Sequence, residues 1–93
     1  MHLAVLTLDF HLEACGSLKE KRRRLKGLRD RFGKLTHVAV CESGFADRHD
    51  RAQWSFACLA HKRADIQSSF SSIEEHAATQ LDAVLYKQEV EYL

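Results

Sequence analysis

The chain has 93 residues, of which 45% are hydrophobic and 29% are charged, and its formal net charge is +1. This apolar content at low net charge excludes intrinsic disorder, and no apolar run approaches the roughly 20 residues that span a bilayer. The opening segment has neither the basic start nor the uninterrupted apolar stretch of a signal peptide. We therefore predict a cytoplasmic protein with one domain over residues 1–93.

The first third of the chain predicts a strand followed by a helix. His2–Leu12 is rich in strand-forming residues, and alternation assigns one set to the core. A helix is predicted over 17–34, because Ser17 and Glu20 have the spacing of a capping box. The core set of the strand is Ala4, Leu6, Leu8, Phe10 and Leu12, and the apolar stripe of the helix is Leu18, Leu25, Leu28, Phe32 and Leu35.

The remaining two thirds predict a strand at His37–Phe45, a polar loop at Ala46–Arg51 and a strand at Gln53–His61. A helix over Arg63–Gln80 and a strand over Asp82–Tyr92 complete the chain. The order βαββαβ is that of the ferredoxin-like α+β sandwich. We therefore predict a four-stranded antiparallel sheet with both helices on one face.

The sheet face without helices is predicted to be unusually apolar, and such an area usually marks an interface. We interpret it as a surface for self-association or for a partner protein, with base stacking as in RNA-recognition modules, or a partly shielded surface without a binding role, as the alternatives. The residues assigned to this face are Leu3, Val5, Ala39, Cys41, Phe45, Trp54, Phe56, Cys58 and Ala60, among which Val5, Phe45, Trp54 and Phe56 are the candidate interface residues.

The first predicted helix is strongly basic. Residues 19–34 contain nine Lys or Arg and two acidic residues, whereas residues 65–93 contain six acidic residues and one Lys. Such a helix is typical of a surface that tracks phosphates, although an acidic protein partner or a solvated face would also explain it. The candidate phosphate contacts are Lys19, Arg22, Arg23, Lys26 and Arg29. Lys21 falls inside the apolar stripe, where it either extends to water or pairs with an acid such as Glu42.

No motif predicts catalysis, a cofactor or a metal. Six histidines are scattered without HxH or HxxxH spacing, and three widely spaced cysteines form no CxxC pair. His37 and Cys41 are expected to share a strand face near Cys58, which is a weak ligand set. A small enzyme that uses Glu42, His37 or the loop 47–50 is the least favoured interpretation.

The run SLKEKRR at Ser17–Arg23 and the run VAVCESGFADRHDRA at Val38–Ala52 resemble the bacterial YlxP-like family of uncharacterised proteins. The likeness extends to the closing EVEYL, but His37 and His49 replace the Asn and Trp usual in that family. The resemblance implies a ferredoxin-like fold. It also implies a link to the ribosome, because the family's genes often lie beside those for translation initiation factor two and ribosome-binding factor A.

The sequence therefore predicts a non-enzymatic RNA- or ribosome-associated protein that binds phosphates through its first helix. The alternative is a homo-oligomeric interaction module that uses the open sheet face.

Overall fold

The computed structural model describes all residues, 1–93, and has the predicted βαββαβ order. The four strands form one antiparallel sheet in the order β2-β3-β1-β4. This is the ferredoxin-like α+β arrangement, and the predicted element ends differ from the observed ones by two residues or fewer. The elements are β1 (His2–His11), α1 (Leu18–Phe32), β2 (Val38–Gly44), β3 (Arg51–Ala60), α2 (Arg63–Thr79) and β4 (Val84–Tyr92).

Strand β1 is the centre of the core. It pairs with both β3 and β4, so a neighbouring strand flanks it on each side. Ala4, Leu6, Leu8 and Phe10 are completely buried against the helices, as the alternation predicted. Leu12 continues this set beyond the end of the strand.

The prediction for β3 was wrong about which face meets the helices. Direct partners in an antiparallel ladder lie on the same face, and Leu8 pairs with Trp54 while Leu6 pairs with Phe56. Trp54 and Phe56 therefore lie with β1's buried residues on the helix side and are 7% and 0% exposed. The same correction applies to Cys58, which is buried, and to Ala60, which packs against the core.

The helices pack through the faces that their periodicity predicted, except that Leu35, assigned to the stripe of the first helix, lies beyond α1 and is 39% exposed. Helix α1 buries Leu25, Leu28 and Phe32. The helices approach closely at Gly27, where an added Cβ would lie 3.3 Å from His76 Nε2 on α2. Helix α2 buries four residues, Ile66, Phe70, Ile73 and Ala77.

Strand β2 ends at an irregularity. Its pairing with β3 shifts register between Glu42 and Gly44, and Phe45 follows with a φ of 57°. A bulky residue rarely adopts this left-handed backbone conformation. Phe45 therefore lies half-buried in the β2–β3 connection, beyond the end of the strand to which it was assigned.

Candidate nucleic-acid interface

Helix α1 begins at a cap that its sequence predicted in part. The Glu20 amide donates to Ser17 Oγ at 3.0 Å, as in a capping box. The Glu20 carboxylate, however, accepts from the amide of Gly16 at 3.0 Å instead of that of Ser17. The cap sets where the helix starts, and burial of Leu25, Leu28 and Phe32 sets its rotation, so that the opposite side faces solvent.

All five candidate phosphate contacts lie on exposed positions of α1. Arg23 lies 3.8 Å from Glu20, and Lys26 lies 3.7 Å from Asp30, both on the helix surface. Such exposed pairs contribute little to stability, because solvent screens them. The other three candidates, Lys19, Arg22 and Arg29, form no ion pair. The outer side of α1 thus presents cations that are largely uncompensated within the chain.

Lys21 has the opposite environment. Its side chain is 3% exposed, and its Nζ lies 3.0 Å from Glu42 Oε2. The same ammonium donates to the carbonyl of Phe45 at 2.9 Å and to that of Arg51 at 3.1 Å. The predicted pairing of Lys21 with Glu42 is confirmed, and the two carbonyls complete the three acceptors that an ammonium needs. Lys21 therefore attaches α1 to both ends of the β2–β3 connection.

Arg24 also serves the fold, and sequence reasoning did not single it out. Its guanidinium donates to the carbonyl of Asp82 at 2.7 Å and to that of Glu13 at 3.0 Å. It also lies 3.2 Å from the Asp82 carboxylate, and its side chain is only 9% exposed. Arg24 therefore joins the segment after β1 to the segment before β4.

A small cleft lies between α1 and the neighbouring sheet. It has a volume of about 150 Å³ and is lined by Arg22, Lys26, Arg29, Asp30 and Trp54. The Arg29 guanidinium carbon lies 5.4 Å from the centroid of the Trp54 ring, within cation–π range. The indole Nε1 of Trp54 is buried and has no hydrogen-bond partner. We call this the Trp54 cleft.

The β2–β3 connection uses its arginines internally. Arg48 donates to both carboxylate oxygens of Asp50, at 3.0 and 2.9 Å, and this hydrogen bonding lowers the pKa of Asp50. Arg51 lies 4.7 Å from the Phe45 ring centroid and 5.2 Å from that of Tyr86, whose hydroxyl accepts from it. Both arginines of this connection are therefore engaged within the protein.

The weak ligand set of the sequence does not converge. Cys41 pairs with Ser55 on the open face, whereas Cys58 pairs with Val38 on the helix face. The expectation that all three share one face is therefore wrong, although His37 Nε2 lies 3.2 Å from the Ser69 hydroxyl of α2 on the side of Cys58. Burial raises the pKa of the Cys58 thiol. No group of three or more His, Cys, Asp or Glu side chains is arranged to hold a metal ion.

The open sheet face is divided into two ends. Near the start of β1, Leu3 pairs with Leu59, and Val5 pairs with Ala57. Leu3 and Leu59 are 38% and 48% exposed. Farther along β1, Thr7 shares a hydrogen bond of 3.2 Å with Ser55. The apolar group around Leu3 therefore ends at Thr7 and Ser55, and of the four candidate interface residues Val5 alone belongs to it.

Fold and surface together define a small ferredoxin-like domain with a basic helix on one side of its sheet. The chain belongs to the family described as "Protein of unknown function (DUF503)", whose family model matches residues 3–90. The likeness to the YlxP-like family stays a prediction. No curated protein matches the chain. None of its helices has the length and apolar character needed to cross a membrane.

Proposed function

We propose that this protein is a non-enzymatic, cytoplasmic RNA-binding protein that associates with ribosomal RNA through the outer side of α1. One observation carries the proposal: the exposed cations of α1 have few acidic partners, and three of them form no ion pair. Like charges at this spacing destabilise a helix by a few tenths of a kcal/mol per pair. Phosphates of a bound RNA would offset that repulsion.

Shape also supports this surface. Helix α1 is fixed by Lys21 and Arg24, which hold it to three connecting segments of the chain. Its outer cations therefore project from a rigid support, and the ordering cost of binding falls mainly on their side chains. We propose ribosomal RNA as the ligand because the resemblance to the YlxP-like family implies a gene neighbourhood linked to the ribosome.

The test is binding of a structured ribosomal RNA fragment across a salt series. Neutralisation of one phosphate by each of five cations gives a slope of about −4 in a plot of log affinity against log salt. The double variant Arg22→Glu/Arg23→Glu should bind more weakly, with a slope shallower by at least about 1.5.

The matched control is Lys62→Glu/Arg63→Glu, which changes the net charge equally at exposed positions at the start of α2. It should keep the wild-type slope. Absence of binding by the wild-type protein at low salt would refute the proposal. Equal losses in both double variants would show that the overall charge, and not α1, attracts the RNA.

The second candidate is self-association through the apolar end of the open face. Leu3, Val5, Ala57 and Leu59 form a continuous group there on two neighbouring strands, and a second copy would cover it. Light scattering at rising concentration tests this interpretation. Leu59→Glu should then yield a monomer, whereas Ser55→Glu, at the polar end of the face, should leave the assembly intact. A wild-type protein that stays monomeric would exclude this candidate.

A further inference from the structure

We propose that the Trp54 cleft binds a single phosphate group of the RNA backbone, with the Trp54 indole N–H as a hydrogen-bond donor. The inference rests on the proposed RNA-binding function and identifies one phosphate-binding site on that surface. Arg22, Lys26 and Arg29 supply the positive charge, and they follow one another at four- and three-residue spacing along one side of α1.

Charge favours an oxyanion in this cleft. Three cations and one carboxylate line it, and the carboxylate of Asp30 already lies 3.7 Å from Lys26. Arg22 and Arg29 form no ion pair. Two guanidinium groups line the cleft, and arginine binds phosphate oxygens with paired N–H groups.

Trp54 adds an observation that is independent of charge. Its side chain is more than nine-tenths buried, and its Nε1 has no acceptor in the protein. Buried donors in folded proteins nearly always have a partner, and an indole N–H can only donate. Because Nε1 is covered in this structure, a phosphate oxygen would accept from it only after the side chain over the ring moves aside. Arg29, which lies over the ring and is exposed, can swing aside to admit the anion.

Size also fits. The cleft is open to solvent, and its volume of about 150 Å³ is more than the roughly 10–15 Å³ that one water needs on this measure. That space admits one tetrahedral oxyanion with some of its hydration. The cleft would hold one phosphate while the rest of the RNA lies outside it.

Trp54 is the only tryptophan of the chain, so its fluorescence reports directly on the cleft. Inorganic phosphate, added at constant ionic strength against sodium chloride, should give a saturable change in emission. Arg29→Gln should remove that change, and Lys62→Gln, which alters an exposed cation at the start of α2 outside the cleft, should leave it intact. An emission change no larger than that given by chloride would overturn the proposal.

The second arm uses the labelled ribosomal RNA fragment. Trp54→Phe keeps an aromatic ring but removes the N–H, and it should weaken binding about tenfold, as expected for loss of a hydrogen bond to a charged group. Circular dichroism and urea unfolding establish that the variant is folded. Because Arg29→Gln alters an exposed residue, it serves as the second variant, and it should reduce the salt slope by about 0.7 to 0.9.

Failure of the two proposals can be told apart. If wild type binds RNA with a steep slope but Trp54→Phe and Arg29→Gln bind equally well, the cleft is refuted and RNA binding by α1 stands. If phosphate changes the emission of Trp54 but no RNA binds, the proposed RNA-binding function is refuted. The proposal that the cleft binds a phosphate of the RNA backbone is then refuted as well.

Discussion

Helix α1 carries cations on two sides, and the two sets differ in burial and in their hydrogen-bond partners. On the inner side, Lys21 and Arg24 are almost completely buried and donate to backbone carbonyls from other segments. On the outer side, Lys19 and Arg22 are exposed and form no ion pair. Basic residues that are adjacent in sequence therefore have different roles in this helix. The inner cations hold the fold, and the outer cations are free to bind a ligand.

The largest expected effect comes from Lys21→Met. This change leaves Glu42 and the carbonyls of Phe45 and Arg51 without their shared donor, and loss of one partner of a buried ion pair costs about 3 kcal/mol. Urea unfolding should show this loss. Lys19→Met makes the same chemical change on the outer side and should alter the free energy of unfolding by less than about 0.5 kcal/mol. Similar losses of stability in both variants would show that Lys21 and Lys19 do not differ in their contribution to the fold.

Arg24→Gln should give the second largest effect. It removes the hydrogen bonds to the carbonyls of Glu13 and Asp82, which tie the segments flanking β1 and β4 to the helix. We expect a loss of about 1.5 kcal/mol in the same unfolding assay. The matched variant is Arg23→Gln, whose side chain is 70% exposed. If Arg24→Gln were as stable as Arg23→Gln, Arg24 would belong with the outer cations.

A smaller effect should appear as a pH dependence on the inner side of α1. Burial, with a contribution from the charge of Arg31, lowers the pKa of His76, whose ring lies beside Gly27. The folded protein therefore binds fewer protons than the unfolded chain, in which the pKa is about 6.5. Stability should be complete above that pH and should fall as the pH drops through 6.5 towards the lower folded-state pKa.

Urea unfolding at a series of pH values measures this dependence. His76→Gln should flatten the curve in that range, whereas His61→Gln, at an exposed position, should preserve it. A wild-type stability that stays constant as the pH falls below 6.5 would contradict the assignment to His76.

The smallest effect concerns the outer set alone. Arg22 lies four residues before Lys26, and like charges at this spacing repel. Arg22→Gln should therefore raise the free energy of unfolding by a few tenths of a kcal/mol at low salt, and high salt should screen the gain. Thermal unfolding at two salt concentrations measures it. A loss of stability on this change would show that Arg22 has a structural partner like those of Lys21.

Much of the fold follows from local patterns in the sequence. The buried stripe of α2, the alternation of β1 and the start of α1 at Ser17 all depend on residues within a few positions of one another. The pairing of Lys21 with Glu42 was predictable because a cation within an apolar stripe requires an acceptor, and Glu42 lies on the strand that follows the helix. The outer cations of α1 were predictable for the same reason, since the apolar stripe sets the rotation of the helix.

The sequence by itself thus determined the order of the elements, which face of each helix is buried and which cations of α1 are exposed, because these depend on local periodicity. Only the tertiary structure decided which face of β3 meets the helices. Alternation separates a strand into two faces without saying which is covered, and pairing of Phe56 with Leu6 is a contact between distant residues. The same pairing brings Trp54 beneath α1, so the cleft could not be found from the sequence.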